Sequence, residues 1–477
     1  MRTQAVAVSP AAQYGEEAYC ALRRNVFRVI DMTVTPIKTK AEQQLAAQFE
    51  AAAATLPGAG WAPAARRAAM SRFAAQGLPH RKLEAWKYTD LRAALKDFPA
   101  PAPSKAGKPK LDAAKLTAAL GPDLAKLPAI RLVFVNGVFA AADSPKGHEP
   151  GTSYHWHTLA ETIGDTSNAW MEPEFAADAA ATSQSMAALN AAFVTDGVVL
   201  RVSENAKLAL PIHIVFLTDA AQPQSVTTRN LIQIDNNASA TILESHVGAG
   251  GAHNANAMTI LSAQAGAKVE HLKLLAEGPA ATHLSTCTVQ VRAGATYTAF
   301  QLSESPALAR NDVNVTFAGE NASFAFNAAS LGRGKSHIDT TMVIDHAVPR
   351  CTSRENIRAV LADQARGIFQ GKVIVRPDAQ KSDGKQMAKA LLLSPDAEFD
   401  SKPELEIYAD DVVCGHGSTV TEMDEDQVFY LMARGIPDVS ARALLTEAFA
   451  AEVIDAIQHE GIREAMRRRL AAWLAAE

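Results

Sequence analysis

The residues best placed to do chemistry are a cysteine and a histidine two positions apart. Cys414 and His416 alternate with Gly415 and Gly417. On an extended strand, such positions point to the same side about 6.5 to 7 Å apart, so a thiol and an imidazole project together while the glycines admit another backbone. A thiolate with an imidazole suits iron, and the imidazole is expected to lower the pKa of the thiol. Two ligands are half of a tetrahedral site, so either the pair is structural or a second chain completes it.

The sequence lacks the motifs of common enzymes. It has no GxxxxGK[ST] loop to cradle phosphates, no GxGxxG fingerprint for a dinucleotide, no HExxH and no GxSxG elbow. We therefore expect no catalytic activity, ATP hydrolysis included. The four cysteines lie far apart without a CxxC pair, which excludes a disulfide framework and favours a reducing compartment. We expect a cytoplasmic location.

Charge and hydropathy exclude two classes of partner. Lys and Arg number 46 against 51 Asp and Glu, which gives a net charge of −5 and no domain-wide basic surface for nucleic acid. The longest nearly apolar stretch, residues 208–217, is about half of the roughly 20 residues that a membrane-spanning helix needs. We predict neither a nucleic acid nor a membrane as a partner.

An internal repeat dominates the middle of the chain. A unit of Gly or Asn, then Ala, then one further residue recurs at steps of 29, 28 and 27 residues, each time after a β-rich run. These intervals are too short for a strand–helix–strand crossover and are typical of solenoids, so the sequence predicts a parallel β-helix whose ends need caps. The units begin at Asn237, Gly266, Gly294 and Asn321.

Helical patterns flank this core. A Thr39–Glu42 capping box precedes a predicted helix over residues 43–54, and Asn136-Gly137 predicts a β-hairpin. The first 31 residues show no apolar face; they are predicted to be a disordered extension before a native start at Met32, or else a variable tail. The predicted divisions are this extension at 1–31, an N-terminal helical domain at 32–98, a linker at 99–111, a mixed α/β connection at 112–195, the β-helix core at 196–424 and a C-terminal helical domain at 425–477.

The C-terminal helical domain carries an apolar stripe. Leu445, Phe449, Val453 and Ile457 recur every four positions, which predicts an amphipathic helix. The stripe is expected either to cap the solenoid or to dock a partner.

Long runs of the sequence resemble the SufB/SufD family of iron–sulfur cluster assembly proteins. The resemblance covers residues 32–450, and the run at 78–89 together with Cys414-x-His416-Gly417 is similar to SufD-type rather than SufB-type members. Agreement is densest at residues 353–358, 366–372, 379–386, 390–394, 402–407 and 429–436.

The resemblance implies a mainly β protein, with a right-handed parallel β-helix between helical domains, that acts as a non-enzymatic scaffold. It implies a heterodimer with SufB and docking of the ATPase SufC through the C-terminal helical domain, for which Leu445, Phe449, Val453 and Ile457 are the candidate residues. It further implies that Cys414 and His416 help to hold a transient iron–sulfur cluster at the SufB interface. No permanently bound cofactor is expected in the isolated chain.

Two other interpretations compete with this one. A SufB-type scaffold that accepts sulfur would need further reactive cysteines, but Cys287 shares the strand phase of Val289 and Val291 and is expected to point inward. A β-helix polysaccharide lyase or hydrolase would need paired carboxylates on one face, whereas the adjacent Asp410 and Asp411 point to opposite faces of a strand.

Overall fold

The repeat folds into the stacked coils of a parallel β-solenoid with about eight turns, flanked by helices, and the protein is mainly β as predicted. The computed structural model describes residues 38–103, 109–142, 153–168, 171–176, 184–219, 221–248 and 250–475. The predicted extension at 1–31 lies outside the described residues.

Successive strands of the solenoid alternate between two sheets, so that each coil contributes one strand to each. The ten-stranded sheet has the order β19-β17-β15-β13-β11-β9-β7-β5-β1-β2, and the nine-stranded sheet has the order β18-β16-β14-β12-β10-β8-β6-β4-β3. Pairing is parallel except at the first end, where β1–β2 and β3–β4 are antiparallel. The strands are β1 (Ile130–Val135), β2 (Val138–Ala142), β3 (Tyr154–Thr158), β4 (Val198–Val202), β5 (Ile212–Thr218), β6 (Gln224–Ile234), β7 (Ser239–Gly248), β8 (His253–Ala263), β9 (Lys268–Ala276), β10 (Ala281–Val291), β11 (Thr296–Glu304), β12 (Leu308–Phe317), β13 (Ser323–Gly332), β14 (His337–His346), β15 (Thr352–Leu361), β16 (Arg366–Val375), β17 (Asp383–Leu392), β18 (Glu398–Ile407) and β19 (Val413–Glu422).

The repeated units form one corner of each coil. Asn237, Gly266, Gly294 and Asn321 all have φ between 56° and 69°, the left-handed conformation that Gly and Asn tolerate best. The backbone N–H of each unit's first residue donates to a carbonyl of the next coil, for example Gly266 to Ala293 at 2.9 Å. The predicted solenoid is therefore confirmed, and the repeated units mark its corners.

The predicted Asn-Gly hairpin is also confirmed. Asn136 and Gly137 have φ of 52° and 75° between β1 and β2, which suits a two-residue hairpin turn. Because β1 also pairs in parallel with β5, the hairpin extends the ten-stranded sheet at its first end.

N-terminal helices cover the outer face of the nine-stranded sheet. The capping box of Thr39 and Glu42 is present, and apolar side chains of the helices pack on the outward-facing Leu231, Leu284 and Leu308. The helices of this part of the chain are α1 (Lys40–Ala52), α2 (Ala62–Gln76), a 3₁₀ turn (Glu84–Trp86), α3 (Leu91–Ala94), α4 (Ala113–Lys126), α5 (Leu159–Gly164), α6 (Met171–Ala176) and α7 (Gln184–Phe193).

The C-terminal helices lie against the outer face of the ten-stranded sheet rather than across the end of the solenoid. These helices are α9 (Asp438–Ile454) and α10 (Glu460–Ala475), and the preceding α8 (Glu425–Met432) contacts α9. Val453 and Leu470 belong to one apolar cluster with the outward-facing Leu243, Leu272 and Leu302. Of the two expectations for the stripe, a cap on the last coil is therefore wrong, because the helices cover the apolar outer face of the sheet instead, and docking stays a prediction. No helix within the described ranges is long and apolar enough to cross a membrane.

Candidate functional site

Cys414 and His416 lie on the last strand of the ten-stranded sheet. Strand β19 pairs with β17 in parallel, with Cys414 opposite Gly384 and His416 opposite Gln386. The thiol is half-buried and packs against the apolar lumen of the solenoid, while the imidazole is exposed at its end. The strand therefore presents both side chains on its lumen side, as the two-residue spacing predicted.

Two in-register rows continue from this pair into the lumen. Ser353 and Glu355 of β15 lie opposite Gly384 and Gln386, so Glu355, Gln386 and His416 form one row across three strands. Gly384 lies between the members of the other row: a Cβ added there would be in ordinary contact with the Ser353 hydroxyl at 3.4 Å and with the thiol of the last strand at 3.7 Å. Sequence reasoning missed Glu355 and Gln386; the coil register is the signal that relates them to the pair.

The environment of Cys414 favours the neutral thiol. Burial raises the pKa of Cys414, and the nearby carboxyl groups of Asp383 and Glu355 raise it further, against a backbone hydrogen bond from Gly384. The expectation that His416 lowers this pKa is therefore wrong. The thiol must lose a proton to bind a metal, and a bound cation supplies the charge that favours that loss.

Glu355 is a protonated carboxyl group behind the pair. It is 0% exposed, and burial raises its pKa to about 8, only partly opposed by Ser353, Arg354 and Gln386. Its two carboxyl oxygens and both amide atoms of Gln386 make no hydrogen bond of good geometry with the described residues. The lumen next to Cys414 thus holds buried polar groups that a further ligand or a partner can satisfy.

The end of the solenoid beside the pair is open. Within the described part of the chain, β18 and β19 each have one unpaired edge, which exposes a row of backbone donors and acceptors. Exposed apolar side chains accompany these edges: Ile407, Tyr408, Val413 and Val420. Such an edge can pair with a strand of another chain, which would bring further ligands next to Cys414 and His416.

The predicted docking residues divide into buried and half-buried ones. Val453 and Ile457 are 1% and 2% exposed and pack on the solenoid, whereas Leu445 and Phe449 are half-buried. Their part in docking stays a prediction. The apolar side chains that this region exposes are different ones: Phe429, Tyr430 and Met432 on α8, and Val439 and Leu444 on α9.

Cys287 lies inside the lumen, as its strand phase predicted. It is 5% exposed, and its sulfur lies 4.0 Å from the hydroxyl of Tyr297. In this structure it is closed off from the solvent, unlike Cys414.

Comparisons with known proteins agree with this architecture. Residues 216–449 match the family described as SUF system FeS cluster assembly, SufBD core domain, and residues 39–214 match the SufBD protein N-terminal region. An iron–sulfur cluster assembly SufBD family protein of Synechocystis is 30% identical over 423 residues, which cover 84% of this chain and 89% of that protein. The chain belongs to the SufB/SufD family.

Within the SufB/SufD family, the chain is a homologue of SufD. The iron–sulfur cluster assembly protein SufD of Escherichia coli is 29% identical over 398 residues, or 83% of this chain and 89% of that protein. SufD of Bacillus subtilis is 34% identical over a shorter stretch of 134 residues, 28% of this chain and 31% of that protein. The chain is thus an iron–sulfur cluster assembly protein of this family.

Proposed function

We propose that the chain is a non-enzymatic scaffold that pairs with SufB, docks the ATPase SufC and holds part of a nascent iron–sulfur cluster in the cytoplasm. The observation that carries this proposal is the pair of Cys414 and His416 at an open solenoid end. A thiol and an imidazole are iron ligands, but they are too few for a cluster, and they stand beside two unpaired strand edges.

The cluster in this proposal is cargo, assembled between two chains. The second chain adds its edge to the open end of the solenoid and contributes the missing ligands. Cys414 binds iron as a thiolate, so its proton leaves when iron arrives, and His416 ligates through a neutral ring nitrogen. Glu355 stays neutral behind Cys414, which avoids a second buried negative charge next to the thiolate.

SufC supplies the ATP hydrolysis in this assembly. The chain itself has no phosphate loop. Exposed apolar side chains on α8 and α9, among them Phe429 at 72% exposed, support a docking surface for it in this region.

The test measures cluster yield in complexes reconstituted with SufB and SufC. We expect Cys414→Ala and His416→Ala to keep near wild-type melting and partner binding while the iron and acid-labile sulfide per complex fall. His416→Ala should be the more damaging, because an imidazole can ligate iron and orient a neighbouring thiolate. Ser418→Ala is the matched control, since Ser418 is exposed two residues further along the same strand.

Each outcome of this test is informative. Unchanged cluster content in both variants would refute the shared site. If either variant binds SufB less, but the complexes that do form contain the wild-type amount of iron and sulfide, the pair would instead be a structural part of the interface.

A further inference from the structure

Four buried ionisable side chains meet inside the solenoid, away from the open end. His246 lies on β7, His253 begins β8, Glu277 follows β9 and His283 lies on β10, and none is more than 7% exposed. They come from two consecutive coils, at the corner where the chain passes from the ten-stranded to the nine-stranded sheet. Six strand spacings, about 29 Å, separate β7 from the strand of Cys414.

The backbone brings Glu277 to the end of β7. Val247 pairs with Ala276 in register, so Gly248 and Glu277 come next to each other. A Cβ on Gly248 would lie 2.4 Å from the Glu277 carbonyl oxygen, so only glycine permits this approach. The carboxylate then reaches the imidazoles of both coils.

The ligand atoms of this cluster converge. The ring nitrogens and carboxylate oxygens of His246, Glu277 and His283 lie within 4.8 Å of one another. Glu277 Oε2 is 2.7 Å from Nδ1 of His283, and Glu277 Oε1 is 3.0 Å from Nε2 of His253. The rings of His246 and His283 meet edge to face, with centroids 4.7 Å apart.

Several of these nitrogens make no hydrogen bond of good geometry with the described residues. Both ring nitrogens of His283 and Nε2 of His246 are buried and unsatisfied among the described residues. The 2.7 Å contact between His283 and Glu277 lies outside hydrogen-bond geometry, and Nε2 of His246 is 3.5 Å from Glu244. Buried polar atoms are rarely left unpaired, and here one lone pair from each of two rings converges with a carboxylate, which indicates a shared ligand.

We propose that His246, Glu277 and His283 form a buried site for one divalent first-row transition metal, Fe²⁺ or Zn²⁺. Two imidazoles and one carboxylate are a common ligand set for these ions. His253 holds the other carboxylate oxygen of Glu277 and thereby orients it. Because solvent does not reach the ligands, the ion is resident and joins two coils, and it is distinct from cluster cargo at Cys414.

The competing interpretation is a buried ion pair, in which a proton on His253 or His283 balances Glu277. An ion pair between His283 and Glu277 would account for Nδ1 of His283 but would leave its Nε2 buried without a partner among the described residues. A proton on His253 would balance Glu277 but would give the buried nitrogens of His246 and His283 no hydrogen-bond partner. A metal would instead take the carboxylate and one ring nitrogen from each of His246 and His283 at once.

The test determines the metal content of the full chain, purified without SufB or SufC and desalted after refolding in the presence of Fe²⁺ under anaerobic conditions or of Zn²⁺. We expect about one equivalent retained per wild-type chain. His246→Gln and His283→Gln should lose it, and His253→Gln should bind it about 10- to 100-fold more weakly. His346→Gln is the matched control, since His346 is also a lumen-facing, fully buried histidine and its partner is Ser353.

The outcomes separate this site from the proposed function. A Cys414→Ala, His416→Ala double variant should retain the metal; its loss there would overturn the proposal and assign the ion to the open end. No retained metal in wild type, or equal loss in His346→Gln, would also overturn it and leave the ion pair. X-ray absorption on the wild-type chain needs no variant: we expect only nitrogen and oxygen neighbours, and a sulfur neighbour would contradict the site.

Discussion

At the scale of single residues, the carboxyl group of Glu355 links the chemistry at Cys414 to the stability of the fold. Its pKa rises from 4.5 to about 8 because the group is fully buried. As pH rises, the unfolded chain therefore releases this proton before the folded chain does. The stabilising effect of the neutral group is fully present below about pH 4.5 and is lost as pH rises through 8.

We expect Glu355→Gln to remove this pH dependence. Glutamine keeps the shape of the side chain but cannot ionise. The variant should match wild type most closely near pH 4 and become more stable than wild type by up to a few kcal/mol at about pH 8. Thermal unfolding of both proteins across this range measures the difference.

Glu42→Gln is the control with the opposite sign. Burial opposes ionisation of Glu42, but hydrogen bonds from the backbone of Thr39 and Leu78 and the charge of Arg92 hold its pKa below the usual value. Its substitution should therefore destabilise the protein at neutral pH and matter less as the medium becomes acidic. Parallel melting profiles for wild type and Glu355→Gln would contradict the assignment of a raised pKa to this group.

Sequence spacing predicts the common side of Cys414 and His416, because strand alternation is a local property. Sequence spacing does not find Glu355, because its position opposite Gln386 can be inferred only when the length of a coil is known. The prediction that His416 lowers the thiol pKa failed for the same reason. The desolvation and the carboxyl groups of Asp383 and Glu355 come largely from coils that are distant in sequence.

At the scale of elements, residues with left-handed backbone conformation form one corner of each coil. Gly294 has φ of 64°, and an added Cβ there would meet nothing within 4 Å. Any cost of substitution at this position is therefore a backbone cost. Asn237 and Asn321 hold the same conformation at neighbouring corners.

We expect Gly294→Ala to destabilise the protein by roughly 1 to 2 kcal/mol, and Gly294→Asn by clearly less, because asparagine tolerates the left-handed region. Gly266→Ala should cost at least as much as Gly294→Ala, since its Cβ would also displace the end of the Asn237 side chain. Gly164→Ala, which adds the same methyl group without a left-handed backbone, is the control. Equal losses for alanine and asparagine at Gly294 would show that backbone conformation does not limit the corner.

The repeat predicts the coils but not the position of the terminal helices. A unit that recurs every 27 to 29 residues indicates a solenoid, because each recurrence marks the same corner. An apolar stripe such as Val453 and Ile457 shows only that one helix face is covered. Either the end of the solenoid or the outer face of its sheet could bury that helix face, and the sequence does not show which of the two does so. The structure selects the outer face.

At the scale of the whole molecule, the C-terminal helices both support the solenoid and expose apolar side chains. Removal of residues 440–475 would uncover apolar side chains of the ten-stranded sheet, each worth on the order of 1.5 to 3 kcal/mol of burial. A truncation would therefore lower stability and partner binding together, and a solenoid that survives it intact is not expected. These side chains include Leu243, Leu272, Leu274, Phe300 and Leu302.

Point substitutions on α8 separate docking from stability. Phe429 and Tyr430 are 72% and 56% exposed, so replacing both with serine should leave the melting temperature close to that of wild type. If these side chains dock SufC, the affinity of the double variant for purified SufC, measured by calorimetry, should fall roughly tenfold or more, because exposed aromatic anchors carry much of the energy of an interface.

Leu83→Ser, at a residue 45% exposed near the N-terminal helices, is the control. Undiminished SufC binding by the double variant would move the docking surface away from α8, and Leu444 and the half-buried Leu445 on α9 would be the next residues to replace.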